Sequence, residues 1–597
     1  MNPKGIQGTH SPRNCGGVFI LMTILLSGCT AQPEEYDFII VGGGAAGCLL
    51  ADRLSEVSEW NVLLIEAGGE ENFLQDIPAL ASLSYYTPAN WGYKTEKSST
   101  ACLGLIDGRC NWPRGKVLGG TTVLNYMVYT RGNRKDYDGW KTQGCEGWGY
   151  DDVLPYFLRS ENMRIPTLAN DKKYHSTEGE LFITRPPYHT QIASDFVEAG
   201  PQAGYKDIDY NAATQIGFSF LQATMKNGER MSSNRAFLKP ARQRKNLHVV
   251  NRSLVTKILI DPQNKTAYGV EYKYLGIFKT EAVARKEVIL SAGAINSPQL
   301  LMLSGIGPKE HLQKVGVPVI QDLRVGFNLQ DHISLGTLFF TANSSVTARF
   351  DNIPGDAVSL LQYLFTRNGT LTMPGAIEAL AFLDIDDSDG LPEIELIFAG
   401  TTVASLLPVW FAWGGKLEIY APYMSLAIQN AFSIFPILLH PKSRGWLTLK
   451  DKNPETKPLL YHNYLTEKQD VEILVKGIKR AIQLIDTEAF QRHGVKLYTV
   501  PLPPCKSHEF GSDAYWECSI RYMTFTVWHQ CGTCKMGPDS DPDAVVDPQL
   551  KVRGIRHLRV VDTSIIPVIP AAHLTAPAYM IAEKAADMIK QEWKANA

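Results

Sequence analysis

The sequence has almost no excess of charge of either sign. Its 59 Lys and Arg residues are balanced by 61 Asp and Glu residues, which gives a formal net charge of −2 over 597 residues. This balance leaves neither a basic face for nucleic acid nor a polybasic patch for a membrane surface. No low-complexity tract or internal repeat stands out. What remains is the composition of an ordinary globular protein that is long enough for two joined domains.

A hydrophobic run long enough to span a membrane is also missing. The apolar stretch Val18 to Leu26 is too short to cross a bilayer, which needs about 20 apolar residues. It has basic residues before it and small residues after it, so we expect residues 1–31 to be a signal peptide cut near Ala31. A bacterial lipoprotein site with a lipidated Cys29 stays an alternative. Four Asn-x-Ser/Thr sequons agree with a secreted protein, at Asn251, Asn264, Asn343 and Asn368.

Cysteine is sparse, and its spacing does not complete a zinc site. Cys531 and Cys534 form a C-x-x-C motif, but no second such pair accompanies them. We therefore interpret these two residues as packed thiols and expect no metal. Two other close pairs would allow disulfides in an oxidising compartment, Cys102 with Cys110 and Cys505 with Cys518.

The strongest positive signal is a glycine fingerprint near the start of the chain. A short apolar run ends at Val41, and Gly42-x-Gly44-x-x-Gly47 then opens a predicted helix. Gly42 permits a tight turn, Gly44 admits a pyrophosphate close to the backbone, and Gly47 lets the helix pack on the strand. Glu66 ends a second predicted strand at the spacing of roughly 20 residues where an acid binds a ribose hydroxyl. The order of strand, helix, strand and acid predicts adenine dinucleotide binding.

Further segments continue the α/β pattern. The stretch from Glu70 to Asn111 is irregular, which suits a lid or cofactor cover. The block Gly115–Tyr129 is rich in Gly and Thr, whose amides and hydroxyls suit a phosphate-rich ligand. Ser297-Pro298 is predicted to start a helix that stops near Ser304 to Pro308. Strands are predicted at 247–260, 267–274, 288–294 and 558–562, and a final helix at about Thr575 to Trp593.

Taken together, these blocks resemble the GMC (glucose–methanol–choline) oxidoreductases, and the likeness runs from Tyr36 to Lys590. Within that family the sequence most resembles the insect branch of glucose dehydrogenases and ecdysone oxidases. The resemblance implies an α/β (α+β) fold with a Rossmann-like FAD-binding domain and a mixed-sheet substrate-binding domain. It places the FAD-binding domain at 36–330, most of the substrate-binding domain at 331–525, and a return to the FAD domain at 526–597. The matching blocks are Gly115–Tyr129, Gly293–Gly307, Val325–His332, His529–Gly537 and Asp562–Pro567.

The resemblance also implies that the dinucleotide is FAD. Gly42, Gly44, Gly47 and Glu66 would hold its ADP half, and the backbone of Val255 would lie by the adenine. The pyrophosphate, ribityl chain and flavin would lie along Gly119, Thr121, Thr122, Asn125 and Asp562. Some relatives attach the flavin to a histidine at the position that Leu124 occupies here. We therefore expect FAD to be bound non-covalently.

The same resemblance assigns the chemistry to two histidines. Oxidation of an alcohol removes a proton from oxygen and a hydride from carbon, and a neutral imidazole suits the proton. His529 would be the base, and His573 would position the substrate oxygen. His332 follows Asp331 in a way that suggests a dyad, but we interpret it as structural.

One apolar segment of the chain bears on the substrate class. The segment from Ile394 to Leu438 is rich in large apolar residues. If these residues line the substrate site, they suit an apolar or steroid-like alcohol better than a sugar. The alternative is that they only fill the core of the sheet. A glucose dehydrogenase, a hydroxynitrile lyase that keeps FAD and a non-catalytic secreted flavoprotein stay as alternatives. The electron acceptor is left open between oxygen and a quinone. The apolar residues are Leu406, Leu407, Val409, Trp410, Phe411, Trp413, Phe432 and Phe435.

Overall fold

The computed structural model describes residues 34–349, 357–386, 389–405 and 407–595. The predicted signal peptide, residues 1–31, lies outside these described residues. Among the helices in the described ranges, none has both the length and the hydropathy needed to span a bilayer.

The described residues form both strands and helices, with several runs of consecutive strands. In chain order the strands are β1 Glu34–Val41, β2 Val62–Ile65, β3 Tyr93–Lys94, β4 Asn111–Trp112, β5 Glu161–Met163, β6 Leu181–Thr184, β7 Gly217–Phe220, β8 Ala223–Lys226, β9 Glu229–Arg230, β10 Leu247–Val250, β11 Ser253–Asp261, β12 Thr266–Tyr274, β13 Phe278–Leu290, β14 Ile333–Leu335, β15 Phe339–Thr341, β16 Ile377–Leu383, β17 Ile394–Ala399, β18 Ala431–Leu438, β19 Trp446–Thr448, β20 Leu459–Tyr461, β21 Lys496–Leu497, β22 Thr524–Thr526 and β23 Leu558–Val560. The α-helices are α1 Ala45–Ser55, α2 Phe73–Asp76, α3 Arg134–Thr142, α4 Tyr150–Ser160, α5 Gln191–Gln202, α6 Lys239–Ala241, α7 Gly293–Leu303, α8 Lys309–Val315, α9 Ala357–Thr366, α10 Leu407–Trp413, α11 Leu417–Tyr420, α12 Lys468–Gln483, α13 Glu488–Gln491, α14 Asp513–Tyr522 and α15 Thr575–Ala595.

A seven-stranded sheet forms the cofactor half of the molecule. Its order is β10-β2-β1-β13-β12-β11, and β23 pairs with the C-terminal part of β13. β1 runs parallel to β2 and β13, and β23 is also parallel to β13. The carboxyl ends of β1, β13 and β23 therefore meet at one edge, where α/β sheets bind their ligands.

An eight-stranded sheet forms the other half. Its order is β21-β15-β18-β17-β16-β7, and β14 pairs with both β18 and β22. Its recorded pairings are antiparallel. β16, β17 and β18 are buried along their whole length. β7 joins this sheet from the stretch assigned to the FAD-binding domain, so the domain boundaries stay a prediction.

The helix predicted to start at Ser297-Pro298 begins earlier than expected. α7 starts at Gly293, and Pro298 lies inside it. Proline has no N–H to donate to the carbonyl four residues back, that of Ala294. The hydroxyl of Thr533 donates to this carbonyl oxygen instead, at 2.6 Å. The prediction was wrong because the contact that compensates for the proline is 239 residues away in the chain.

Two of the cysteine pairs that lie close in the sequence form disulfides. Cys102 is bridged to Cys110 and Cys505 to Cys518, with Cα atoms 5.7 and 5.8 Å apart. Cys531 and Cys534 are buried free thiols.

Candidate functional site

The glycine fingerprint forms the turn between β1 and α1. Gly42 has φ +102°, and a Cβ there would lie 2.6 Å from the carbonyl oxygen of Ser291. A Cβ on Gly47 would lie 1.9 Å from the carbonyl oxygen of Gly42, so only glycine lets the helix approach the turn. A Cβ on Gly44 would meet no atom within 4 Å, because Gly44 borders open space at the start of α1. That open space lies beside the first free amides of the helix, where an anionic group is stabilised.

Glu66 lies beside this turn with its carboxylate held by backbone amides. The N–H of Gly43 donates to Oε2 at 2.8 Å and that of Gly68 to Oε1 at 2.7 Å. Burial raises the pKa of Glu66 to about 7. Glu66 and Val255 line the same end of a long cavity, which starts at the carboxyl edge of the cofactor sheet.

The Gly115–Tyr129 block continues the wall of the cavity. Gly119 has φ +100° and starts a short 3₁₀ turn. Thr121, Thr122 and Asn125 line the cavity. Asn125 is held in place because its Oδ1 accepts from the guanidinium of Arg230 at 2.9 Å and its Nδ2 donates to Thr575 Oγ1 at 3.1 Å.

Asp562 also lines the cofactor end of the cavity. It follows β23, and its Oδ2 accepts from the N–H of Gly293 at 2.8 Å and from the hydroxyl of Ser297 at 2.6 Å. Burial raises the pKa of its carboxyl group. Asp562 therefore caps α7, whose start faces the same cavity.

The residues that line the cavity fit FAD, because some of their polar groups have no hydrogen-bond partner in the protein. A Cβ on Gly293 would meet no atom within 4 Å, as at Gly44, so both helix starts face open space. The buried hydroxyl of Ser291, also on the wall, has no hydrogen-bond partner. The free start of α1, the unpartnered hydroxyl and the acid beside the turn match the phosphates and ribose of a dinucleotide, while Asp562 already caps the start of α7. The position of Leu124 carries no nucleophile, and its side chain is buried on the wall.

The two predicted catalytic histidines meet at the other end of the cavity. His529 and His573 both line it, and their ring centroids are 4.6 Å apart with the planes at 80°. They come from segments 44 residues apart, which the sequence alone could not bring into contact.

The backbone at His529 is fixed by a buried carboxylate. Asp331 accepts from the N–H of His529 at 2.7 Å, and its other donors are side chains of Tyr464, Thr526 and Gln530. Burial raises the pKa of Asp331 to about 6. Trp528, just before His529, has φ +63°, a left-handed conformation that persists only when its surroundings enforce it.

His332, which the sequence analysis interprets as structural, contacts the predicted base. Its Nδ1 lies 2.9 Å from Nδ1 of His529, and its Nε2 lies 2.9 Å from the carbonyl oxygen of Leu439. Burial lowers the pKa of His529 and of His332 well below the ordinary value of 6.5. Both rings are therefore neutral near pH 7, which a base requires.

His573 has a different partner, which the sequence did not reveal. Its Nε2 lies 3.0 Å from Oε1 of Glu395, a buried residue of β17. Its backbone N–H donates to Thr130 Oγ1 at 2.6 Å. The two histidines thus differ in their support, one from a neutral imidazole and the other from a carboxylate.

The predicted apolar wall divides into three groups. Val409, Trp413 and Phe435 line the cavity near the histidines. Trp410 and Phe432 fill the core instead, and Phe411 is exposed. Leu406 lies outside the described residues.

Comparisons with known proteins agree with this geometry. Residues 36–334 and 441–582 match the N- and C-terminal family models described as GMC oxidoreductase. The chain is 44% identical over 571 residues to a "Glucose dehydrogenase [FAD, quinone]" of Drosophila pseudoobscura pseudoobscura, covering 95% of this chain and 88% of that one. It is 37% identical over 561 residues to an "Alcohol dehydrogenase [acceptor]" of Pseudomonas putida, covering 93% and 95%.

Solved structures show the same fold. A formate oxidase crystal structure aligns with a TM-score of 0.82 at 26% identity, covering 95% of this chain and 100% of that one. A pyridoxine 4-oxidase aligns with a TM-score of 0.78 at 29% identity, covering 92% and 98%. These likenesses confirm the predicted fold class.

Proposed function

Because this chain belongs to the GMC oxidoreductase family and is an FAD-dependent oxidoreductase, we propose that it oxidises a CH–OH group to a carbonyl with His529 as the base. Bound FAD supplies the hydride acceptor. The observation that carries the proposal is the perpendicular pair of imidazoles in the cavity that also contains the dinucleotide turn. His529 takes the hydroxyl proton, and His573 holds the substrate oxygen.

An apolar or steroid-like alcohol is the substrate class that the cavity wall favours. Val409, Trp413 and Phe435 offer no hydrogen bond to the ring hydroxyls of a sugar, apart from one indole N–H. A polar group buried against them without a partner would be costly. Exposed apolar side chains on several surface segments also favour the approach of a hydrophobic molecule. They are Leu83, Tyr86, Leu361, Phe365, Phe411, Leu417, Met424 and Ile428.

Glucose is the second candidate substrate. The similar proteins support glucose, and the cavity wall supports an apolar alcohol, to an equal degree. The most similar relatives include glucose dehydrogenases at 44% and 43% identity, whose names give a quinone acceptor. Thr401 and Thr402 add hydroxyls to the cavity that a sugar would use. A hydroxynitrile lyase remains a third class, distinguished by the absence of net redox change.

One anaerobic experiment separates these candidates. Sterols, benzylic alcohols and glucose are added in turn to the FAD-loaded enzyme, and loss of flavin absorbance is followed in time. We expect bleaching by at least one alcohol, faster for the apolar ones, and a loss of about 10²–10⁴ in rate for His529→Ala with FAD content unchanged. No bleaching by any alcohol, together with cleavage of a hydroxynitrile, would favour the lyase. Reoxidation with oxygen or a quinone identifies the acceptor, and acid denaturation should release the yellow cofactor from the chain because Leu124 cannot bind it covalently.

We also propose that the protein is secreted and glycosylated. Three sequon residues, Asn264, Asn343 and Asn368, are exposed, and two disulfides suit an oxidising compartment. A fall in apparent mass after glycosidase treatment of protein from a secretory host is the expected result. An unchanged mass would leave the sequons as chance triplets.

A further inference from the structure

The hydrogen bonds behind His529 form a chain that ends at a backbone carbonyl. The carbonyl oxygen of Leu439, directly after β18, lies 2.9 Å from Nε2 of His332. A carbonyl oxygen can only accept, so Nε2 of His332 must carry the hydrogen. In a neutral imidazole, the other nitrogen then has a lone pair and no hydrogen. His332 is fully buried, and burial lowers its pKa, so the neutral form is the one present.

The second bond of the chain transmits this constraint to His529. Nδ1 of His332 and Nδ1 of His529 are 2.9 Å apart, which is a hydrogen-bond distance. Because the His332 nitrogen is an acceptor, the His529 nitrogen must be the donor. The hydrogen of neutral His529 therefore resides on Nδ1, and Nε2 keeps its lone pair.

We propose that His332 is a positioning residue that holds His529 in the Nδ1–H tautomer, so that the lone pair of Nε2 faces the substrate hydroxyl. This inference rests on the proposed role of His529 as the base. The substrate hydroxyl proton passes to Nε2, and the O–H bond breaks as the N–H bond forms. His529 becomes an imidazolium whose Nδ1–H bond to the lone pair of His332 persists and strengthens, since one partner is now charged.

The neighbouring pair supplies a contrast within the same site. Nε2 of His573 lies 3.0 Å from the Glu395 carboxylate, which can only accept, so this nitrogen is the donor of the pair. His529 contacts Nδ1 of His332, which can only accept a hydrogen bond, so the tautomer of the resting His529 ring is fixed. The site thus holds one imidazole backed by another imidazole and one backed by a carboxylate.

Neutron diffraction from crystals of the FAD-loaded wild-type enzyme tests the tautomer directly. We expect deuterium on Nδ1 of His529 and on Nε2 of His332, and none on Nε2 of His529. Deuterium on Nε2 of His529 in the resting enzyme would overturn the inference. This reading does not depend on activity or on a substitution that might prevent folding.

Two substitutions test the catalytic consequence. His332→Gln keeps one acceptor and one donor, whereas His332→Leu removes both at a similar volume. We expect His332→Leu to lower the rate of anaerobic flavin bleaching at least about tenfold, towards the 10²–10⁴ lost with the base itself, with KM and FAD content little changed. His332→Gln should restore most of the rate, which a merely structural role would not require.

The outcomes separate this inference from the proposed function. If His529→Ala is inactive while His332→Leu keeps the wild-type rate with full FAD, the tautomer role is wrong and the base role stands. If His529→Ala itself keeps the wild-type rate, the base role is wrong, and neutron diffraction still shows which nitrogen carries the hydrogen.

Discussion

The cofactor half of the molecule contributes glycine turns and a helix start to the cavity, whereas the half with the eight-stranded sheet contributes large apolar side chains. At the cofactor end the surface is set by Gly42, Gly44 and the amides at the start of α1. At the other end it is set by residues such as Trp413 and Phe435. Backbone recognition suits a ligand that is constant across a family, while side chains can change with the substrate. The following predictions test that difference.

The largest effect is expected from a methyl group on the cofactor turn. In Gly47→Ala the new Cβ would lie 1.9 Å from the Gly42 carbonyl oxygen, a clash that no rotamer relieves. We expect a loss of about 4 kcal/mol or more in the free energy of unfolding, measured by denaturant titration, or no soluble protein.

Gly44→Ala is the matched control for this change. A Cβ there meets no protein atom within 4 Å, so unfolding of the FAD-free protein should be unchanged while FAD binding weakens. A stable Gly47→Ala protein with normal FAD content, or tight FAD binding by Gly44→Ala, would contradict the backbone account of this half.

Replacing Glu395 by Gln should have the next largest effect. The amide keeps the shape but removes the charge that faces Nε2 of His573 at 3.0 Å. We expect kcat to fall at least about tenfold with FAD content unchanged, by analogy with the loss when a histidine loses its carboxylate partner. A wild-type kcat would show that His573 needs no charged support.

A smaller effect is expected from the apolar wall. Phe435→Leu widens the cavity, and we expect the ratio of kcat/KM between a bulky and a small alcohol to change about tenfold, since a methylene-sized change is worth about 1–3 kcal/mol. Phe432→Leu is the control, because Phe432 is fully buried against Phe340 and Phe490. Equal effects of the two changes would mean that Phe435 acts only through packing.

The smallest effect concerns pH. Burial, followed by charge on His573, lowers the pKa of His529 below 6.5, so the ring stays neutral above its shifted pKa and loses its base function as pH falls through it. We expect kcat/KM to change by less than about twofold between pH 7.5 and 6.5 and to fall only at lower pH. An acid limb centred above pH 6.5 would contradict this assignment.

The same difference between the two halves decided what could be predicted. Gly42, Gly44, Gly47 and Glu66 act through backbone conformation and short spacing, so their arrangement could be derived from about 30 neighbouring residues. The start of α7 was misplaced because Pro298 is compensated by Thr533, far away in the chain. Local sequence carries no signal for such a contact.

The partners of the histidines were missed for the same reason. Glu395 lies in a strand with no polar pattern, and only the pairing of β17 within its sheet brings it to His573. His332 had an adjacent acid as a clue, but the contact that matters is with His529, 197 residues away. The sequence showed only that this segment is rich in large apolar residues. Which of them line the cavity depends on the alternation of strand faces, which places Phe435 and Phe432 on opposite sides of β18.

The pairing of β14 with β22, in which Ile333 lies opposite Thr526, joins the two chain segments that carry Asp331, His332 and His529. The cofactor sheet likewise depends on a late segment of the chain, because β23 at Leu558–Val560 pairs with the end of β13. We expect a chain cut before β23 to lose FAD binding, because it lacks both this strand of the cofactor sheet and Asp562.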